Sequence, residues 1–273
     1  MRKFYRGNVE IIKSEKYKII FNSSISSYML NRTRLRILKK INFPKTLWYN
    51  FRYLKLKDAI KLPILIGGGV KINKLGVIKF MCPIKPNLIS LGVFNVFIDD
   101  IQYPTKWENN GVVIISGPVT IRTGANIGID RCGVLHFEGH NDIGHLSTMF
   151  AHKSITIGEY SSISWNCQLL DTDFHFMEET ASHKIFRKTA PIAIGRECWI
   201  GNHGSISKGV TLADGVTVAS YSVVTKSCVI PNALLAGIPA TVKKTGVRRI
   251  FDKQREANIE KEYWLTEFGQ PKC

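Results

Sequence analysis

Apolar residues in the second half of the chain recur at every sixth position. Ile194, Ile200, Ile206, Leu212, Val218, Val224, Ile230 and Ala236 are eight consecutive aliphatic positions with that spacing. Two residues before each stand Ile192, Cys198, Gly204, Val210, Val216, Ser222, Cys228 and Leu234, mostly small or β-branched. The residue after the anchor is small at Gly195, Gly201, Ser207, Ala213, Ala219 and Thr225. A helix would repeat at about 3.6 residues and a half-buried strand at two. Six is a multiple of two, so a short strand can aim its anchor inward, provided the chain turns before the next strand. Gly201-Asn202 and Asp214-Gly215 supply such corners. The pattern predicts a solenoid, in which three aliphatic anchors per coil contribute a gross ~5–9 kcal/mol before chain entropy is subtracted.

The same beat runs earlier with slips of phase: Ile115, Ile121 and Ile127; then Phe137, Ile143, Met149 and Ile155; then Ile157, Ile163 and Leu169. Residues 170–191 abandon it, and an excursion from a solenoid projects from the stack as a loop suited to carry function. That excursion contains His175 between Asp171, Asp173 and a run of aromatics. Three segments are therefore expected. Residues 1–60 form a basic, partly helical extension or cap, with a basic amphipathic helix near Leu30–Ile41 and an aromatic cap core of Phe43, Trp48, Tyr49, Phe51 and Tyr53. Residues 61–245 form the repeat body, and residues 246–273 a helical tail, in which Val247, Ile250, Phe251 and Gln254 dock one face.

Charge changes the picture at the front end only. Residues 1–61 hold sixteen Lys or Arg against three acidic residues, a net +13 of the total +17. Such a segment suits an anionic partner, and an anionic membrane surface reached through residues 1–61 is the partner expected here. No nucleic-acid motif occurs, and Gly67-Gly68-Gly69 lacks the Lys-Ser/Thr of a phosphate loop, so no nucleic acid is expected. The six cysteines form no CxxC pair, which fits a reduced compartment, and Cys198 and Cys228 fall at small-residue positions of the repeat. With no apolar stretch resembling a signal or a membrane span, a cytoplasmic protein is expected, peripheral at the inner face of the membrane.

The stretches ITIGEYSSIS, DTDFH, ECWIGNHGSISKGVTLADGVTVASYSVVTK and AGIPATVKK, within about 155–244, resemble the hexapeptide-repeat acyltransferases. Among these the chain is similar to sugar O-acetyltransferases of the galactoside and maltose type and to relatives acting on capsule, lipopolysaccharide or exopolysaccharide. The resemblance implies an all-β fold, a left-handed parallel β-helix, and a homotrimer with acetyl-CoA held between neighbouring prisms. It places His175 where the family has its catalytic base and Trp199-Ile200-Gly201 beside the thioester arm. It also places Asn202 and Ser220 at the pantetheine, and Thr225-Lys226 near the nucleotide. Where many relatives have an arginine after Gly-Ile-Pro-Ala this chain has Thr241, leaving Lys243 and Lys244 as the nearest phosphate ligands.

That chemistry suits the residue types. A hydroxyl attacking a thioester must lose its proton, and an imidazole titrating near ~6.5 serves as the base. Asp173 is the candidate to orient it, with Asp171 as the other choice. The expected activity is acetyl transfer to a sugar hydroxyl of a nucleotide- or lipid-linked glycan, with acetyl-CoA as co-substrate and no metal. Two other readings stay open. All seven histidines lie between residues 136 and 203, so His140 and His145, joined by His136 or His152, could bind a metal as in the carbonic-anhydrase-like β-helices. The solenoid could also be a non-catalytic scaffold or binding module.

Overall fold

The structure is a computed structural model that describes residues 39–93 and 103–268. The expected Leu30–Ile41 helix lies almost entirely outside the described residues. From Ile64 the chain winds through three sheets in turn, each strand pairing in parallel with the strand one coil earlier. The first face runs from Ile64–Ile66 through Asn141–Ile143 and Trp199–Ile200 to Leu234–Gly237, where Ala240–Lys244 folds back antiparallel. The second runs from Val70–Lys74 to Val223–Val224 and the third from Val77–Phe80 to Thr211–Leu212.

In register, the inward residues form continuous ladders. Ile66, Leu91, Ile121, Ile143, Ile163, Ile200, Val218 and Leu235 line the first face. Trp107, Ile127, Met149, Leu169, Ile206 and Val224 line the second, and Ile115, Phe137, Ile157, Ile194 and Leu212 the third. All of these are buried. Each six-residue step of the sequence thus advances one face, which is why a single beat fills three ladders.

The beat stops one turn sooner than the spacing predicts. Ile230 is 43 % exposed, and Leu235 rather than Ala236 occupies the next inward position. After Cys228, which bridges Leu212, the chain makes no further third-face strand, so the two last anchors lose their phase.

Corners also differ from the expectation of Gly, Asn, Asp and Ser alone. Left-handed backbone occurs at Gly215 but also at bulky Tyr160, His203 and Tyr221. A non-glycine residue there costs about 1–2 kcal/mol. Part of that is offset by stacking between coils: the rings of His140 and Tyr160 are 4.5 Å apart and those of His203 and Tyr221 4.4 Å.

Helix α1 (Phe43–Tyr53) and the short α2 (Leu56–Ala59) precede the first coil. Asn42 caps α1 by accepting from the Lys45 amide. The expected aromatic cap core is not formed: Phe43, Trp48, Phe51 and Tyr53 are exposed, and only Tyr49 packs on the core. Polar Thr46 and Asn50 take the inward stripe instead, because the first strand offers an unpaired edge. Asn50 accepts from the Ile64 amide and donates to its carbonyl, while the Thr46 hydroxyl accepts from the Ile66 amide.

The tail is corrected as well. Residues 246–252 are not helical; Val247, Ile250 and Phe251 lie half-buried in an irregular segment. Helix α3 (Lys253–Phe268) follows, and Gln254 is exposed on it.

Candidate active site

The excursion is a folded arm rooted between the second and third faces. Its two short strands, Glu178–Glu179 and Lys184–Ile185, pair antiparallel, and Thr172 bridges Thr189 below them. Fully buried Asp171 anchors the root: its carboxylate accepts from the His152 and Lys153 amides, each at 2.7 Å. Both oxygens are thus committed to backbone, and Asp171 does not orient the His175 imidazole. Asp173 points its carboxylate at the ammonium of Lys208, which also donates to the Arg187 carbonyl at 2.5 Å. Phe174, in left-handed backbone, packs edge-on against Phe150 and His152 at 5.7 and 5.3 Å. These contacts hold the turn, leaving His175 outward. Its imidazole is exposed, and its ring forms no hydrogen bond among the described residues. Around it Phe176, Met177, Ile185 and Phe186 are also exposed.

Another group of candidates lies on the first face and its corner with the second. The Trp199 indole N–H donates to the Ser164 hydroxyl at 3.0 Å. Asn202 accepts from the Ser220 hydroxyl at 2.5 Å, joining two successive coils. Those coils approach closely at Gly201: an added Cβ would stand 2.7 Å from the Ser220 nitrogen and 2.8 Å from the Val218 oxygen. In outward register, Trp199 is followed by Thr217, Leu234 and Lys244. At the usual ~4.8 Å per strand, Lys244 lies ~14 Å from Trp199. Lys243 is exposed beside it. Thr225 and Lys226 are exposed after the last second-face strand, at the corner from which the arm leaves two coils earlier. One chain therefore brings Trp199, Gly201, Asn202, Ser220 and Lys244 into one line but keeps His175 at the corner opposite that face.

Sequence reasoning missed Arg249. The irregular tail segment runs back along the first face, where the Arg248 guanidinium meets Glu197 at 2.5 Å. The Arg249 guanidinium lies over the Trp199 and Phe251 rings. Arg249, Ile250 and Phe251 close one side of a cleft whose other wall includes Thr120, His140, Asp142, Tyr160 and Ser162. Arg249 and Trp199 are fifty residues apart in sequence, and the segment was marked only by Val247, Ile250, Phe251 and Gln254, read as a docking helix face.

The histidines weighed as metal ligands are dispersed. His136 bonds the Ser116 hydroxyl on the third face, His140 stacks on Tyr160, His145 bonds Thr123, and His152 pairs with Asp130 at 3.0 Å. Among the described residues no group of three His, Cys, Asp or Glu side chains is placed to hold a metal ion.

Comparison with known proteins follows the same line. Galactoside O-acetyltransferase of Escherichia coli is 31% identical over 157 residues, covering 56% of this chain and 68% of that protein. The chain belongs to the hexapeptide-repeat acyltransferases. Within them it is 33% identical over 198 residues to an uncharacterised 24.8 kDa protein of the cps region of Klebsiella pneumoniae, covering 72% of this chain and 86% of that one. Among solved structures, the N-acyltransferase AntD of Bacillus cereus aligns with TM-score 0.44 and 16% identity over 80% of this chain and 98% of its own. No protein-family model matches the sequence. For a hexapeptide-repeat acyltransferase the coil is left-handed, a sense that the spacing of the anchors leaves open.

Proposed function

We propose that this protein transfers the acetyl group of acetyl-CoA to a sugar hydroxyl during surface-polysaccharide assembly, with His175 as general base. The observation that carries the reading is the exposed His175 imidazole, on a turn near the root of the arm that Asp171 and Asp173 pin to the His152 and Lys153 amides and to Lys208. Membership in the family supplies the reaction class, the galactoside relative supports a sugar hydroxyl as acceptor, and the cps-region relative supports capsule as the setting.

In the reaction a ring nitrogen of His175 takes the hydroxyl proton as the oxygen attacks the thioester carbonyl. The tetrahedral intermediate collapses with cleavage of the C–S bond, and the imidazolium returns its proton to the departing thiolate. The products are an O-acetyl sugar and free CoA. Trp199, Gly201, Asn202 and Ser220 would line the pantetheine arm, with Lys243 and Lys244 of the same chain toward the phosphates and Lys226, on the His175 corner, reaching them from the neighbouring chain. Asp173 acts on the base through the turn it fixes with Lys208.

His175 and the Trp199 line lie on opposite sides of one prism, so the site is completed by a second chain in a homotrimer. The exposed Phe176, Met177, Ile185 and Phe186 on the arm support that packing. No helix among the described residues is long and apolar enough to cross a membrane. The basic residues 1–61 suit a cytoplasmic enzyme meeting its acceptor at an anionic membrane face.

The test is thiol release from acetyl-CoA against nucleotide- and lipid-linked sugars, wild type beside His175→Ala. A loss of ~10²-fold or more in kcat is expected. Unchanged turnover removes His175 from the mechanism.

A further inference from the structure

Helix α1 is inside out. Its inward stripe is polar, Thr46 and Asn50 at 0 % exposure, because it serves the edge of the first strand. Its outward side carries Phe43, Leu47 and Phe51 at helical spacing, with Trp48 beside them at 65 % exposure. Leu56 and Ile60, on and just after α2, are exposed as well, at 69 % and 63 %. A helix that only capped the solenoid would need the polar stripe and would gain nothing from six large apolar groups in water. In sequence, between Ile41 and Lys61, stand Arg52, Lys55, Lys57 and Lys61 against a single acid, Asp58, which lies 4.0 Å from Lys61; Lys45 instead donates to the Val70 carbonyl.

We propose that this outward side of α1 and α2 docks the enzyme on an anionic phospholipid bilayer. Trp48 and the phenylalanines enter the headgroup boundary, where an aromatic ring finds apolar contact below and water above. Arg52, Lys55, Lys57 and Lys61 meet lipid phosphates, each contributing ~5-fold to partition. Charge complementarity selects this occupant. A second copy would set these cations against their own kind, and an acidic soluble protein or glycan would leave the aromatics without an apolar partner. The inference rests on the proposed function only for the use of docking, since a membrane-linked acceptor would then be met at the surface. Binding itself is measured without substrate, so it can fail while acetyl transfer stands, and the reverse.

The experiment is sedimentation of the full-length protein with phosphatidylcholine vesicles, with and without about a third phosphatidylglycerol. A double variant, Trp48→Ser with Phe51→Ser, is run in parallel. Wild type is expected on the anionic vesicles only, and the variant to lose at least ~10-fold in partition. Because both side chains are exposed, the variant keeps its melting temperature and its activity on a soluble acceptor. Lipid-attached quenchers should dim wild type more than Trp48→Phe. Three results would overturn the inference. Wild type fails to bind anionic vesicles, or the double variant binds equally well, or the double variant instead changes the oligomeric mass, which would make the helix face a contact between copies.

Discussion

The Arg249 guanidinium lies 5.4 Å from the centre of the Trp199 ring and 4.9 Å from that of Phe251. A cation over an exposed indole contributes about 0.5–1 kcal/mol, or ~2–5-fold in an equilibrium. Arg249 touches no reacting atom; it fixes the plane against which the thioester arm is proposed to lie. Arg249→Ala is therefore expected to raise KM for acetyl-CoA ~2–5-fold with kcat nearly unchanged. Arg249→Lys recovers part of it, lacking the flat guanidinium. Saturation curves in acetyl-CoA decide; a fall in kcat at constant KM would speak against the role.

How much of this was legible beforehand follows from where the residues sit. Anchors from Ile194 to Val224 were readable because each corner there has one length, so phase survives. Coils before Ile115 were not, although Ile66, Leu91 and Trp107 fill the same ladders. Leu91 and Trp107 stand sixteen residues apart rather than six, which breaks the period. The aromatic residues of 43–53 were marked as a cap core, but the helix that carries them was not located and their orientation was inverted. Hydrophobicity alone put Phe51 inward, whereas the unpaired amides of Ile64 and Ile66 demanded Asn50 and Thr46. His175 was marked by resemblance, and Arg249 by nothing that spacing could supply.

Asp171 should behave as a structural clamp. Removing its carboxylate leaves the half-buried His152 and Lys153 amides without acceptors, at a cost of about 1–3 kcal/mol in all. Asp171→Ala is expected to lower the melting temperature by roughly 3–10 °C and to weaken activity through the displaced arm. Asp171→Asn, with one acceptor oxygen, falls between. Differential scanning calorimetry beside kcat measures both.

Lys208 presents the opposite case. Its ion pair with Asp173 is partly exposed on both sides, so it contributes at most ~1 kcal/mol to stability. It nevertheless fixes the turn that aims His175. Lys208→Ala is expected to cut kcat by on the order of 10-fold while shifting the melting temperature by less than about 3 °C. Equal losses in stability and rate would reduce Lys208 to packing.

Gly201→Ala tests the close approach of coils beneath the proposed cofactor line. The new methyl would press on the Ser220 nitrogen and Val218 oxygen, backbone atoms that cannot swing aside as a side chain can. The expected cost is about 1–3 kcal/mol of stability. The Asn202–Ser220 hydrogen bond would stretch with the coils, so KM for acetyl-CoA should rise as well. A neutral Gly201→Ala in both respects would mean that the coils separate freely.

Stability should also fall in alkali, for a reason inside the prism. Burial pushes the Cys167 and Cys198 thiols from an ordinary 9.0 up to about 11. Each donates to a carbonyl, Gly201 at 3.1 Å and Ala213 at 3.2 Å, which a thiolate cannot do. Between pH 9 and 11 the unfolded chain releases these protons and the folded one keeps them, so folding weakens as pH rises. Below about 9 both states hold the protons and the contribution is complete. The loss by pH 11 is up to roughly 2 kcal/mol per thiol, on the linkage of about 1.4 kcal/mol per unit. Urea midpoints measured at about pH 8 and again two units higher should therefore drop more in wild type than in Cys167→Ala/Cys198→Ala, where the titrating groups are gone. Lysines and tyrosines titrate in both proteins alike and cancel from the comparison, so identical slopes for the two would contradict the buried-thiol account.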